Sequence, residues 1–415
     1  MKNRILRRIL QEAGQKGLFL ITGARQTGKT TLVRKSYSNL RYHNLDSAEE
    51  REVLQIMPAF LWARQMGSAV IDEAQKEPSV FEKIKYAWDS GELSLSILLG
   101  SSQVLLLKRI RESLAGRIRL YELYPLMLCE LLTQGMEVLP EMPRLLSGLT
   151  ERGALADLFS TEPPRLLSQE NGPKMEQATY SIQWGGMPAL LPLSDADRRK
   201  WLKDYEFTYL ERDLSDLARL NDLMPFKKFQ TAAAHRSGQL LNYSELARDT
   251  GLSVDTARRY LRYLELSYQV LLLQPWRTNP VASVVKTPKL YWLDTGMLRC
   301  MTGQWEGVSG ALFETWVVSE IWKWIRTTSS LCEMYFYRSH SGVETDLVLK
   351  TPRGILGLEI KMRSEVARKD FSSLRKLAAL YGEAWLGGVV VNHNGKVSFL
   401  SEPNIWTVPA HRLLS

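Results

Sequence analysis

The stretch Leu18-Phe-Leu-Ile-Thr-Gly23-Ala24-Arg25-Gln26-Thr27-Gly28-Lys29-Thr30-Thr31-Leu32 runs an apolar strand pattern straight into Gly-x-x-x-x-Gly-Lys-Thr and then into a helical pattern. Gly23 and Gly28 permit a turn tight enough for successive backbone N–H groups to face an anion, and a helix starting near Lys29 adds the positive end of its dipole. Lys29 is expected to reach the β- and γ-phosphates of a nucleotide, with the Thr30 hydroxyl on Mg²⁺. The same spacing can arise in an ordinary strand-to-helix turn. The strand before it and the helix after it favour a phosphate-binding loop, so the expected ligand is ATP or GTP.

A second pattern lies at a suitable distance. Gly67-Ser-Ala-Val-Ile-Asp72-Glu73-Ala-Gln is a short apolar strand ending in two carboxylates. Beside a nucleotide, Asp72 would position Mg²⁺ and Glu73 would orient the attacking water. A third apolar run, from Leu93 to Leu99, ends at Gly100-Ser101-Ser102, where a hydroxyl could sense the γ-phosphate. The segment Glu112-Ser-Leu-Ala-Gly-Arg117-Ile-Arg-Leu then places an arginine after the helix that follows this strand. An arginine there suits a finger inserted into a neighbouring subunit's nucleotide. A solvated surface arginine is the alternative.

These motifs together resemble the bacterial and archaeal AAA-type ATP-binding proteins that carry a C-terminal domain of unknown function. The resemblance rests on Thr22 to Leu32, Val70-Ile-Asp-Glu-Ala-Gln75, Leu99-Gly-Ser-Ser102 and Ser113-Leu-Ala-Gly-Arg117-Ile. It continues through Gly185-Gly-Met-Pro188, Tyr209-Leu-Glu-Arg-Asp213-Leu, Lys286-Thr-Pro-Lys-Leu-Tyr-Trp-Leu-Asp294-Thr-Gly296 and Leu312-Phe-Glu314. It implies an AAA fold, ATP and Mg²⁺ as ligands, and self-association, a hexameric ring being one form of it. It names no cellular role.

Composition bounds these readings. The chain has 415 residues, 45% of them hydrophobic, enough for two to four domains. Neither a signal-peptide pattern nor a membrane-spanning apolar run is evident, so a cytoplasmic protein with no membrane partner is expected. Cys129, Cys300 and Cys332 lack paired spacing, which argues against a disulfide framework or a zinc site. A formal net charge of +9 suits a polyanionic partner without requiring one. The five histidines share no ligand spacing, and the tryptophans around 316–324 read as core or interface.

Alternation of strand and helix patterns over 1–135 predicts an α/β P-loop AAA-type core with a parallel sheet. Residues 136–223, richer in Pro, Gly, Ser and Glu at first and then helical and charged, are expected to form a helical lid and connecting arm. Over 224–285, Leu241 to Leu264 reads as helix, Gly251 turn, Ser253 cap and a second helix carrying Arg258, Arg259 and Arg262. An apolar strand at Val270 to Leu273 would begin a wing, giving a winged helix-turn-helix. Asp255, Thr256 and Arg259 would face DNA; a purely structural or protein-docking winged module is the alternative.

Residues 286–415 carry a second chemistry. A helix with Glu314, a strand with Asp346 and a strand with Glu359-Ile-Lys361 resemble the core of the PD-(D/E)xK nucleases, an α/β restriction-endonuclease-like fold. Glu359 and Lys361 share one strand face, so Glu359 and Asp346 would bind Mg²⁺ while Lys361 steers the attacking water. Glu314 would orient the lysine or complete the metal shell. Many relatives of that fold no longer cut, which leaves recognition or assembly as the other role. Two function classes follow: a Mg²⁺-dependent ATPase that remodels or processes DNA, or a nucleotide-controlled assembly switch whose C-terminal half docks proteins.

Overall fold

The computed structural model describes residues 2–14, 16–101, 113–152, 155–218, 223–276, 287–339 and 342–415. Ser102, at the expected sensor position, lies outside them, as do the side chains of the Tyr209–Asp213 motif. Three sheets organise the described residues.

The first is wholly parallel and contains β1 (Gly17–Thr22), β2 (Arg41–Asn44), β3 (Ala69–Asp72), β4 (Leu95–Gly100) and β5 (Ile118–Glu122) in the order β2-β3-β4-β1-β5. Its central strands are apolar on both faces because helices cover both, as parallel pairing requires. Leu6, Leu10, Leu32 and Val33 of the helices Ile5–Glu12 and Lys29–Ser36 pack on Phe19, Ile21 and Ile97. Val80, Phe81 and Ile84 of the helix Ser79–Asp89 pack on Leu18, Leu20, Ile71 and Leu98 opposite. The P-loop, Asp72 and Ser101 all emerge from the C-terminal edge of this sheet, the edge where α/β sheets bind ligands.

The second sheet is small and antiparallel: β6 (Gln239–Leu240), β7 (Val270–Leu273) and β8 (Lys289–Trp292), in the order β6-β8-β7. It accompanies the helices Met224–Ala234, Tyr243–Thr250 and Val254–Leu266. Asn242 and Ser253 cap the second and third helices, and Gly251 ends the second at φ +71°, a conformation that favours glycine. Strand β8 lies beyond residue 285, in the stretch read as nuclease-like, yet its hydrogen bonds go to β6 and β7.

The third sheet holds β9 (Glu333–Arg338), β10 (Glu344–Thr351), β11 (Gly354–Lys361), β12 (Trp385–Asn392), β13 (Ser398–Ser401) and β14 (Ile405–Pro409), in the order β13-β14-β12-β11-β10-β9. The helix Gly310–Thr328 lays Trp316, Val317, Ile321 and Trp324 on one face, and Leu374 and Leu377 of Ser372–Tyr381 cover the other.

The segment expected as a lid divides in two. Leu145, Leu146, Leu149 and Phe159 bury against the core around Trp324, Val408 and Leu413; Phe159 stacks on Trp406 at 5.9 Å, and Val397 N donates to Pro164 O at 3.0 Å. These side chains seek the largest apolar face within reach, which is the third sheet, so this part contributes nothing to the P-loop cleft. The helix Ser168–Trp184 runs on through Pro173. The later part, the turn around Pro188 and the helix Asp195–Ala218, comes over the P-loop, and Met136 at the start of the segment borders the adjoining apolar cleft.

Candidate functional site

A cleft of about 610 Å³ opens at the P-loop between the first sheet and the helix Asp195–Ala218. Gly23 adopts φ +153° against the next strand, and a Cβ on it would fall 2.0 Å from Leu123 O. Gly28 takes φ +96° as the helix begins. Arg25, Gln26, Gly28, Lys29, Thr30 and Thr31 line the cleft, whereas Ala24 and Thr27 turn into the protein. Thr27 donates its hydroxyl to Ala24 O at 2.9 Å, and Arg4 Nη1 donates to Thr27 O at 3.0 Å while its Nε stands 3.2 Å from Glu130. An arginine from the chain's first turns therefore stiffens the loop.

Lys29 is buried and donates to Gly23 O at 2.9 Å and Ala24 O at 2.8 Å. The Thr30 hydroxyl donates to Asp72 Oδ2 at 2.6 Å, Tyr42 donates to the same oxygen at 2.7 Å, and Glu73 N donates to Asp72 Oδ1 at 2.9 Å. The hydroxyl and carboxylate form a set of hard oxygen donors that fits Mg²⁺. Glu73 follows in the left-handed region at φ +53°, which swings its carboxyl into the cleft, where Gln75 donates to it. Burial raises its pKa, and the positive charges of Arg25 and Lys29 oppose that shift. Ser101 lies buried at the tip of β4 on the same cleft.

Sequence reasoning missed three contributors. Tyr42 arrives from edge strand β2, whose alternation is too short to mark it. Tyr205 donates to Arg25 O at 3.2 Å from the long helix. Pro188 borders both this cleft and an adjacent apolar one of about 520 Å³, walled by Leu32, Leu126, Met136, Leu191 and Pro192 and fit for a planar base. The motif Gly185-Gly-Met-Pro188 was noticed only as a family landmark, and its packing explains it. Gly186 N donates to Asp294 at 2.8 Å and Leu126 N to Gly186 O at 2.7 Å, so a Cβ on Gly185 would strike Asp294 and one on Gly186 would strike Leu126 O.

Arg117 sits at the N-terminal end of β5. It lies five positions before Glu122, which pairs with Thr22, so roughly 16 Å of strand lies between it and the P-loop edge. It grips Asp89 through two nitrogens, at 2.7 and 3.0 Å, and borders no part of its own cleft. Any part it plays in hydrolysis has to be in another copy's cleft.

On the third helix of the second module, Ala257, Tyr260, Leu261 and Leu264 are buried, while Arg258, Arg259 and Arg262 point outward with Asp255. Arg258 lies over the Tyr243 ring, Arg259 over Tyr260, and Arg262 pairs with Glu265 at 2.5 Å.

The nuclease-like residues converge in part. Asp346 and Glu359 lie on one face and share Lys361, whose Nζ stands 3.3 Å from Asp346 and 2.7 Å from Glu359. Ile360 N donates to Asp346 at 2.7 Å, and Ser373 donates to Glu359. Glu314 is bonded instead to Tyr291 at 2.6 Å and Lys289 at 3.3 Å, and Lys289 also reaches Glu344 at 2.6 Å. Burial and Asp346 raise the Glu359 carboxyl to about 8, with Lys361 opposing the rise. Burial and Asp346 raise Glu314 as well. Burial works against the charge of Lys289, but Glu314, Asp346 and Glu344 outweigh it and hold its pKa above the ordinary value. Among the described residues no three His, Cys, Asp or Glu stand close enough to hold one ion. Asp346 and Glu359 thus meet at Lys361, whereas Glu314, expected to orient that lysine or complete the metal shell, is held by Lys289 and Tyr291.

Comparison with known proteins agrees with the first site. Residues 15–132 match a family model described as an AAA domain, while residues 175–306 and 309–413 match models described as domains of unknown function, DUF8612 and DUF4143. An uncharacterized protein of Mycobacterium tuberculosis and one of Mycobacterium bovis are each 28% identical over 419 residues, covering 99% of this chain and 83% of the relative. Among solved structures, a Walker-type ATPase of Pyrococcus abyssi aligns at 17% identity and TM-score 0.41, over 71% of this chain and 94% of that one. DnaA from Aquifex aeolicus with AMPPCP aligns at 12% and 0.24, over 63% and 86%. The N-terminal part is an α/β domain with a parallel sheet that resembles P-loop ATPases and matches an AAA domain, and no described helix is long and apolar enough to cross a membrane.

Proposed function

We propose that the chain is a Mg²⁺-dependent AAA-type ATPase that works on DNA. The observation that carries the ATPase part is the Thr30–Asp72 contact of 2.6 Å, with Glu73 beside it in the cleft. Lys29 offsets charge on the β- and γ-phosphates, and Glu73 orients the attacking water. Thr30 and Asp72 hold the Mg²⁺, which supplies neutralisation of the phosphate oxygens. The neighbouring apolar cleft receives the base. We read the elements from Met224 to Trp292 as a winged helix whose arginine face meets DNA phosphates, and Arg117 as a finger acting in a second copy of the chain.

The C-terminal acids have two readings. A nuclease needs a metal among them; a recognition or assembly module does not. The pairing of Glu314 with Lys289 and Tyr291, away from Lys361, favours the second, in which nucleotide state governs docking by the C-terminal half. The deciding experiment measures ATP turnover with and without duplex, single-stranded and four-way-junction DNA, following nicking in Mn²⁺ on the same samples. Stimulation by any of these DNAs supports the first class. Turnover indifferent to all of them moves the partner to protein, and nicking lost in Asp346→Ala would restore the nuclease.

A further inference from the structure

A set of buried polar groups that the hydrolysis chemistry leaves unused gathers at the C-terminal ends of β1 and β5 beneath the P-loop. Thr22, the last residue of β1 and the neighbour of Gly23, shares a hydrogen bond through its hydroxyl with that of Tyr268. Tyr268 OH also stands 3.5 Å from Glu122 Oε1, and its ring meets Tyr124 edge-on at 5.6 Å. Glu122 Oε2 accepts from Tyr124 at 3.0 Å and from Arg326 Nε at 2.7 Å. Glu122, Tyr124 and Tyr268 are all buried.

Each member belongs to a different part of the molecule. Thr22 and Glu122 end strands of the ATPase sheet. Arg326 lies in the last turn of Gly310–Thr328, the helix that covers the third sheet. Tyr268 comes two residues after the helix bearing Arg258, Arg259 and Arg262, and is fixed to it: Tyr268 N donates to Glu265 O and Gln269 N to Leu264 O. Its backbone takes φ +62°, the left-handed region that a tyrosine rarely adopts. That conformation aims the side chain inward at Thr22. Residues held in sparsely populated backbone regions persist where surrounding contacts over-determine them.

We propose that Tyr268 is a positioning residue for the P-loop, through which the nucleotide site and the arginine-bearing helix sense one another. The proposal rests on the reading of the P-loop as a nucleotide site. Lys29 donates to Gly23 O and Ala24 O, so an ammonium that turns to a phosphate withdraws its protons from the accepting carbonyls of the two residues following Thr22. The Thr22 hydroxyl carries that change to Tyr268 and hence to the end of the arginine helix. This differential contact is what coupling between the two places requires.

Hydrogen–deuterium exchange over 254–273, with and without an ATP analogue and Mg²⁺, tests this in the full chain alongside steady-state ATP turnover. Tyr268→Phe removes one hydroxyl and keeps the ring on Tyr124; Thr22→Val removes its partner at equal volume. In the wild type, nucleotide is expected to alter exchange in the arginine helix. Each variant should abolish that alteration, leave KM within about twofold and lower kcat about fivefold, the worth of one hydrogen bond. Variants that respond as the wild type does overturn the proposal, as does wild-type protein that binds nucleotide with unchanged exchange over 254–273. Wild-type protein that binds no nucleotide overturns the ATPase reading itself, a separate and visible result.

Discussion

At the scale of single residues, the two carboxylates after β3 divide their work by backbone conformation. Asp72 ends the strand and is tied to Thr30 and Tyr42, whereas Glu73, one residue on, is turned by its positive φ into the cleft. Glu73→Gln is therefore expected to bind nucleotide as the wild type does and to lose about 100-fold or more in kcat, the scale of a water-orienting base. Equal turnover in the two proteins would remove Glu73 from that role. Lys289 makes a different demand. It lies at 4% side-chain exposure beside Glu314, Glu344 and Asp346, and because Glu344 keeps Arg338 and Asp346 keeps Lys361, Lys289→Met leaves Glu314 as the carboxylate without a cation. A loss of about 3 kcal/mol in urea unfolding is expected, and restoration of part of it by adding Glu314→Gln would trace the loss to that pair.

Among the elements, the pair β10 and β11 has a pH dependence of its own. The Glu359 carboxyl is raised to about 8 by burial and by Asp346, so between the ordinary glutamate pKa and 8 the folded protein holds a proton that the unfolded chain has released. Stability from this group is full below about pH 4 and declines as pH rises toward 8. Melting curves should show that decline in the wild type and a flatter profile in Glu359→Gln. The arginine helix yields a second test. If Arg258 and Arg259 each meet a phosphate, reversing both to Glu should reduce the slope of log affinity for DNA against log salt by about 2. Unchanged affinity in a folded double variant would assign that face to protein.

The elements also show which information a local pattern carries. The P-loop could be read because Gly23, Gly28, Lys29 and Thr30 lie within eight residues, and chemistry at that range leaves a fixed spacing. The helix caps at Ser253 and Gly251 were readable for the same reason. Lys289 was not, because its acids lie on a helix and a strand from another part of the chain. The lid was misjudged through its destination. Helical spacing puts Leu145 and Leu149, four residues apart, on one face, but does not tell that they bury with Phe159 against the third sheet.

For the whole molecule, the position of Arg117 constrains assembly. It stands at the sheet edge opposite its own nucleotide cleft and pairs with Asp89, so a catalytic use requires a second copy. Mixing Arg117→Ala with Glu73→Gln protein should regain activity at interfaces that combine an intact finger with an intact base. A co-assembled mixture that stays inactive would leave Arg117 a surface ion pair of little consequence for stability.

The turn that brings Pro188 to the nucleotide is held by Asp294, 108 residues after Gly186. A ribosome adding about 5–20 residues per second needs roughly 5–20 s to cover that span. During synthesis, then, the complete Walker sequence emerges well before the residue that seats the wall of its base cleft. Nascent chains stalled before residue 294 should hold nucleotide more weakly than full-length chains, so the protein's order of manufacture delays its own activation until the second module has been made.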